Sequence, residues 1–297
     1  MLIISLFVGF ALGLGYYIYH TRQSNSLLQN RFNQVIGLRQ LIHLLRFHRR
    51  QTHQRLHNGG ANTVGEQPLN ESLAIQNLLR TLISQAEQSQ KPMYRILMKR
   101  ITALLDEWPR YSIQRNQTVH GKAIRHVLYL IDDTVTQSLL VTDKEQLFKQ
   151  YQSVWPVTLN AIDSLSRFRH TIYSFTPNSM AMKRELKLHT QILRRRLGQM
   201  SILSSEPVSP LIIESLFDQF EKIDLDRSNH TLTKEELYHF SLLVSETLFN
   251  LFDLVLGDIG KEISVRLPEL PVDGGKVVRL SKHNQAIDKQ RKTKNPA

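Results

Sequence analysis

Leu38, Leu41, Ile42 and Leu45 recur at intervals of three and four residues, the spacing that places side chains on one face of an α-helix. A face this apolar has to turn toward a core, and the next positions on it are His48 and Arg49, with Arg50 directly after. A second stretch repeats the arrangement, with Leu159, Ile162 and Leu165 leading to Arg169 and Ile172 continuing the stripe. The two align without a gap, Ile42 on Ile162, Leu45 on Leu165 and Arg49 on Arg169, which fits two related half-domains that each contribute one arginine. A guanidinium does not shed its charge and presents a planar fork of donors, so a core-facing arginine requires a carboxylate, phosphate or similar anion.

Helical periodicity with short breaks runs through the rest of the chain. Only 13 glycines and 10 prolines punctuate 297 residues, which suits long helices. The spacing predicts helices over Ser24 to His57, ending at Asn58-Gly59-Gly60, then over Leu69 to Gln88, Pro92 to Trp108 and Val119 to Leu140. Lys144 to Phe175, Asn178 to Leu203, Leu211 to Ile223 and Thr233 to Ile263 follow. No convincing strand alternation occurs before Ile263, so the expected fold class is all-α, a multi-helix bundle with antiparallel neighbours.

Leu2 to Tyr19 is an uncharged apolar run of 18 residues. As a helix it would be about 27 Å long at ~1.5 Å per residue, just enough to cross a bilayer. Tyr16, Tyr17 and Tyr19 cluster at one end as interfacial aromatics do. A cleaved signal peptide would carry a cationic start and an Ala-x-Ala site, and neither is present, so residues 1–22 are expected to be an uncleaved inner-membrane anchor. Arg22, Arg31 and Arg39 follow the span, which places the large domain in the cytoplasm by the positive-inside rule. Gly9 and Gly13 form a small-xxx-small pair through which two copies could approach as a homodimer.

The run Leu41 to Arg50, and Leu159 to Ser174 with its Arg-Phe-Arg-His after Trp155, resemble the nitrate- and nitrite-sensing (NIT) domain family of bacterial signalling receptors and antiterminators. The stretch His120 to Leu140, with Leu128-Tyr129-Leu130-Ile131-Asp132-Asp133, resembles that family's middle helix, and the likeness extends over roughly residues 30 to 260. The resemblance implies two packed helical sub-bundles with nitrate or nitrite held between them by arginines, and it carries over to Arg49, Arg50 and Arg169. The family's further arginine in its last helix has no counterpart, since Leu211 to Leu256 contains only Arg227, in a loop-like stretch. On this reading residues 24–264 form the sensor domain, and residues 265–297 a basic, disordered tail. Gly274 to Ala297 carries seven lysines and arginines against one aspartate, a set of charges that is either idle in solvent or drawn to an anionic membrane surface.

Other features narrow the field. Cysteine is absent, which excludes disulfides, thiolate metal sites and a cysteine nucleophile. A formal charge of +12 asks for an anionic partner. Arg194-Arg195-Arg196 with Lys183, Arg184 and Lys187 lacks interleaved aromatics, so a solvated basic face is expected and nucleic acid is not the expected partner. Asp224 to Glu235 has oxygen residues at the first, third, fifth and twelfth positions of a calcium loop but lacks its glycine. The helix cap Thr233-x-x-Glu236 explains the same letters. His43, His48, His53 and His57 lie along one helix without the carboxylates of a zinc site, and a solvated face is expected for them.

With no Gly-rich phosphate loop, nucleophile elbow or paired-carboxylate motif, a non-enzymatic protein without cofactor or metal is expected. Two readings of the arginines stay open. In the first, they bind nitrate or nitrite in a membrane-anchored sensor that passes its signal to a separate downstream protein. In the second, Asp132, Asp133, Asp163 and Asp253 pair with Arg49 or Arg169, and the bundle is a membrane-tethered adaptor or scaffold with no small-molecule ligand.

Overall fold

A computed structural model describes residues 2–58, 70–142, 144–176, 179–203, 215, 216, 218 and 233–265; side chains at 2–11, 20, 21, 24, 25 and 70 lie outside this description. Also outside it are the 59–69 linker, most of the helix expected over 211–223, the acidic loop at 224–232 with Arg227, and the tail beyond Val265.

The first helix, α1 (Leu2–His57), is 56 residues long without a break. The sequence suggests two helices here, one in the membrane and one from Ser24, but residues 20–25 contain neither glycine nor proline and do not interrupt the hydrogen-bond ladder. At ~1.5 Å per residue, α1 is about 84 Å long. Leu12, Leu14, Tyr16, Tyr17, Ile18 and Tyr19 on it are all exposed, and Gly13 faces open space. From Phe32 onward it is a core helix, with Phe32, Val35, Leu38, Leu41 and Leu45 fully buried.

Among the described residues six further α-helices have defined bounds: α2 (Asn70–Gln85), α3 (Lys91–Glu107), α4 (Ile113–Val141), α5 (Glu145–Ser174), α6 (Met180–Leu203) and α7 (Lys234–Glu262), with a 3₁₀ turn at Trp108–Arg110 after α3. The described residues contain no strand, so the all-helical class expected from the periodicity holds. Most predicted ends agree within a few residues. The exception is the start of α4, six residues early, where Ser112 accepts a hydrogen bond from the Arg115 amide as an N-cap. The first inward positions there are Asn116 and His120, both fully buried, so the turn has no apolar signature.

α1 packs on α2 and α4, and α3 closes against both of these. α5 packs on α6, α7 and α4, so α4 and α5 join the two groups of helices over one continuous apolar core. Gly37 sets how closely α2 lies on α1, because a Cβ at that position would come 2.8 Å from the Leu82 Cδ2 methyl. Arg39 on α1 donates from Nε to Asp253 on α7 at 2.7 Å, tying the groups together a second time.

Among the described residues one helix, α7, is long and apolar enough to cross a membrane, and 61% of its apolar window is buried inside the bundle. Leu237, Val244, Leu248, Leu251, Phe252 and Leu256 make it a core helix. Its start is the capping box foreseen at Thr233 and Glu236, with each residue satisfying the other's amide.

Candidate anion site

The stripe on α1 runs into the core as its spacing requires, and its polar end goes in with it. His48 and Thr52 are fully buried, and Arg49 is 5% exposed. On α5 the equivalent stripe of Ile162, Leu165, Phe168 and Ile172 carries Arg169 inside, also at 5%. The Arg169 fork is held from α7, where Nε donates to the Ser241 hydroxyl at 3.0 Å and Nη2 to the Ser241 carbonyl at 2.9 Å. The hydroxyl in turn donates to the Tyr238 carbonyl at 2.7 Å, which leaves its lone pairs for the guanidinium.

Arg49 and Arg169 line the same cleft, of about 530 Å³, between α1, α4, α5 and α6. Lys122, Arg125 and Arg167 add cations to its wall, and Asp163 and Glu185 add carboxylates. Both carboxylates have other work. Asp163 pairs with Arg125, while Glu185 accepts from the Thr171 hydroxyl at 3.0 Å and lies 3.6 Å from His189 Nε2. Asp253 holds Arg39, and Asp133 accepts from Gln90 and Gln137. Among the described residues no carboxylate lies within ion-pair distance of Arg169.

Burial first, and then the positive charges of Arg49 and Arg46, push the Arg169 guanidinium well below its ordinary range, with Tyr238 acting in the opposite sense. A guanidinium keeps its proton at physiological pH, so the shift stands for an unfavourable field inside the protein. An anion placed between the two arginines would cancel that field.

Arg50, the third candidate, goes elsewhere. Its guanidinium lies over the Phe47 ring, 5.3 Å from the centroid, and it lines a neighbouring cleft of about 500 Å³ together with His53, His57, Tyr173, Tyr238 and Arg169. Arg169 and Gln117 thus sit in the wall between two clefts, with Arg49 on one side and Arg50 on the other.

His48 and His53 depart from the solvated face expected of the α1 histidines, whereas His57 is exposed. His53 stacks on Tyr238 with ring centroids 3.7 Å apart and planes 16° apart, and Gln117 Nε2 approaches its Nδ1 at 3.1 Å. Deeper in, His120 Nδ1 lies 2.8 Å from the Asn116 carbonyl, which fixes the proton on that nitrogen and makes Nε2 an acceptor. His48 then donates from Nδ1 across 2.9 Å, and Asn116 donates to Thr52 at 2.9 Å. Burial, aided by the charge on Arg55, lowers His48 to about 4, and burial takes His120 well below its ordinary value as well. The pair is neutral at pH 7. Among the described residues no cluster of three or more histidines, aspartates or glutamates forms a metal site.

Compared with protein-family models, curated proteins and solved structures, the chain matches none of them. The site therefore has to be read from its own chemistry. Sequence spacing located Arg49 and Arg169 because each is a cation on an apolar stripe. It gave no notice of Ser241, a small polar residue inside the most apolar helix, or of Gln117, on a face of α4 without periodic signal. Arg46 sits one turn before Arg49 over the Phe249 ring at 4.7 Å, and its three-residue offset is the signal that could have found it.

Proposed function

We propose that this protein is a membrane-anchored, non-enzymatic sensor that binds a small planar anion, nitrate or nitrite, between Arg49 and Arg169. The observation that carries the reading is Arg169 itself, a buried cation beside a second buried cation, held by one serine and by no carboxylate among the described residues. Nitrate is flat, singly charged and accepts hydrogen bonds only, so two buried guanidiniums in the wall of one cleft suit it.

The cleft is far larger than one nitrate ion. Binding therefore favours closure of the helices around the anion, and closure of one sub-bundle on the other is the signal. The apolar run from Leu2 to Tyr19, with its exposed leucines and tyrosines from Leu12 onward, supports an anchor in the inner membrane, and the arginines that follow it support a cytoplasmic domain. Receipt of the signal falls to a separate protein, or to a second copy through Gly9 and Gly13.

The test is a thermal-shift titration of the full-length chain in detergent with nitrate, nitrite, chloride and sulfate. A selective nitrate or nitrite response that disappears in Arg49→Ala and in Arg169→Ala supports sensing, and no selective shift at millimolar ligand sinks it.

A tethered adaptor is the second reading. One observation favours it: a groove of about 830 Å³ on α3 and α4 that exposes Met93, Ile96 and Tyr129 beside Arg100, Lys122 and Arg125. An adaptor would show partner binding through that groove and no response to any of the four anions.

A further inference from the structure

The cleft on the Arg50 side differs in kind from the one holding Arg49. Its walls are Ile113, Ile172 and Leu242 together with the stacked rings of Tyr238 and His53, and the His57 ring lies parallel to His53 within 4°. These surfaces are apolar and flat. The charges around them are mostly positive: Arg50, Arg169 and Lys234, against Glu235 alone.

None of the three cations is neutralised by a carboxylate among the described residues. Arg50 rests on Phe47, Arg169 is bound by Ser241, and Lys234 Nζ donates to the Tyr173 carbonyl at 2.8 Å. Glu235 lies 3.8 Å from His57 instead. Burial, followed by the charges of His57, Arg49 and Arg169, lowers His53 to about 4, so at pH 7 its ring is neutral. Nδ1 accepts from Gln117, which leaves the proton on Nε2 as a donor for an incoming group.

We infer that this second cleft is a binding site for a flat aromatic carboxylate, its ring laid on the outer face of the Tyr238–His53 stack and its carboxylate turned toward Arg50 and Arg169. The aromatic wall selects for flatness by stacking, and the unneutralised guanidiniums select for negative charge. Nitrate meets both selections, but an ion of that size leaves the apolar wall of Ile113, Ile172 and Leu242 uncovered. The site does not depend on the small-anion reading of the first cleft. The two clefts share Arg169, however, so an occupant of one draws on the charge that the other needs, and two anions bound together are predicted to weaken each other.

Benzoate is the probe, followed by ligand-observed NMR on the full-length chain in detergent. Cyclohexanecarboxylate (same charge, not flat), benzamide (flat, uncharged) and acetate are the controls. Benzoate is expected to bind saturably and at least about tenfold more tightly than any control. Arg50→Ala and Tyr238→Leu are each expected to weaken it by about tenfold, more than Arg49→Ala does, because Arg49 lines only the other cleft.

Equal affinity for benzoate and cyclohexanecarboxylate, absence of saturable binding, or binding untouched by both Arg50→Ala and Tyr238→Leu would overturn the inference. Circular dichroism of each variant establishes that it is folded, and Tyr238→Phe, which keeps the ring, is expected to retain binding. Benzoate binding without any nitrate response would leave this site standing and remove the small-anion reading; the reverse result would do the opposite.

Discussion

Arg169 and Arg49 are each unremarkable on a surface, but together inside a core they oppose one another. Replacing a buried charge with an apolar side chain of similar length removes the opposing field, and such changes are often stabilising. Arg169→Met is therefore expected to abolish the nitrate response while raising anion-free stability by about 1–2 kcal/mol in a urea titration. A loss of stability instead would mean that the guanidinium holds the fold together.

The His48–His120 pair makes a separate prediction at the same level. His48 titrates near 4 when folded and near 6.5 when unfolded, so on acidification the unfolded chain takes up the proton first. Its contribution is complete above about pH 6.5 and is lost as pH falls toward 4, a difference on the order of 3 kcal/mol. Denaturant unfolding at pH 7 and pH 5 should show the decline, and His48→Leu should reduce it without removing it, because His53 and His120 are lowered in the same sense, even though the variant is less stable at pH 7 than the parent.

Among the helices, α7 presents Tyr238, Ser241 and Lys234 from its first two turns, so its N-terminal cap holds part of both clefts in place. Thr233→Ala is expected to cost about 1 kcal/mol and to speed amide hydrogen exchange in the first turn of α7 before it affects the rest of the helix. That cap was readable from the letters alone because its two hydrogen bonds are local. Helices α2, α3, α5 and α6 were readable for a related reason, since apolar spacing and breakers both act within a few residues.

What the sequence did not disclose was set by contacts between distant segments. The buried face of α4 begins with Asn116 and His120, whose partners Thr52 and His48 lie on α1, so its first turn reads as polar loop. Arg50 follows Arg49 directly, yet a helix turns about 100° per residue and sends the two into different clefts. Pro156, by contrast, did not hide α5, whose apolar spacing reads as one helix from Lys144 to Phe175, and packing on α6 and α7 holds it unbroken there.

Taken as a whole, the molecule joins an exposed apolar extension to a helical bundle through one uninterrupted element. Burial on α1 becomes continuous only near Phe32, so a chain that begins at Ser26 should leave the membrane fraction while keeping the anion response of the intact protein. Fractionation followed by the same titration checks this. Retention in the membrane would shift the anchor away from the N-terminus, and loss of the response would make the extension part of the binding domain.

The unbroken length of α1 also has a mechanical meaning. Arg49 sits near the inner end of a stiff rod, and at ~1.5 Å per residue Leu12 lies about 55 Å further along it. If the cleft closes by tilting this rod through roughly 5°, the far end swings by about 5 Å, the width of a helix backbone. A lever arm of that reach makes a small rearrangement around one anion large where the rod ends, with no relay of side chains between.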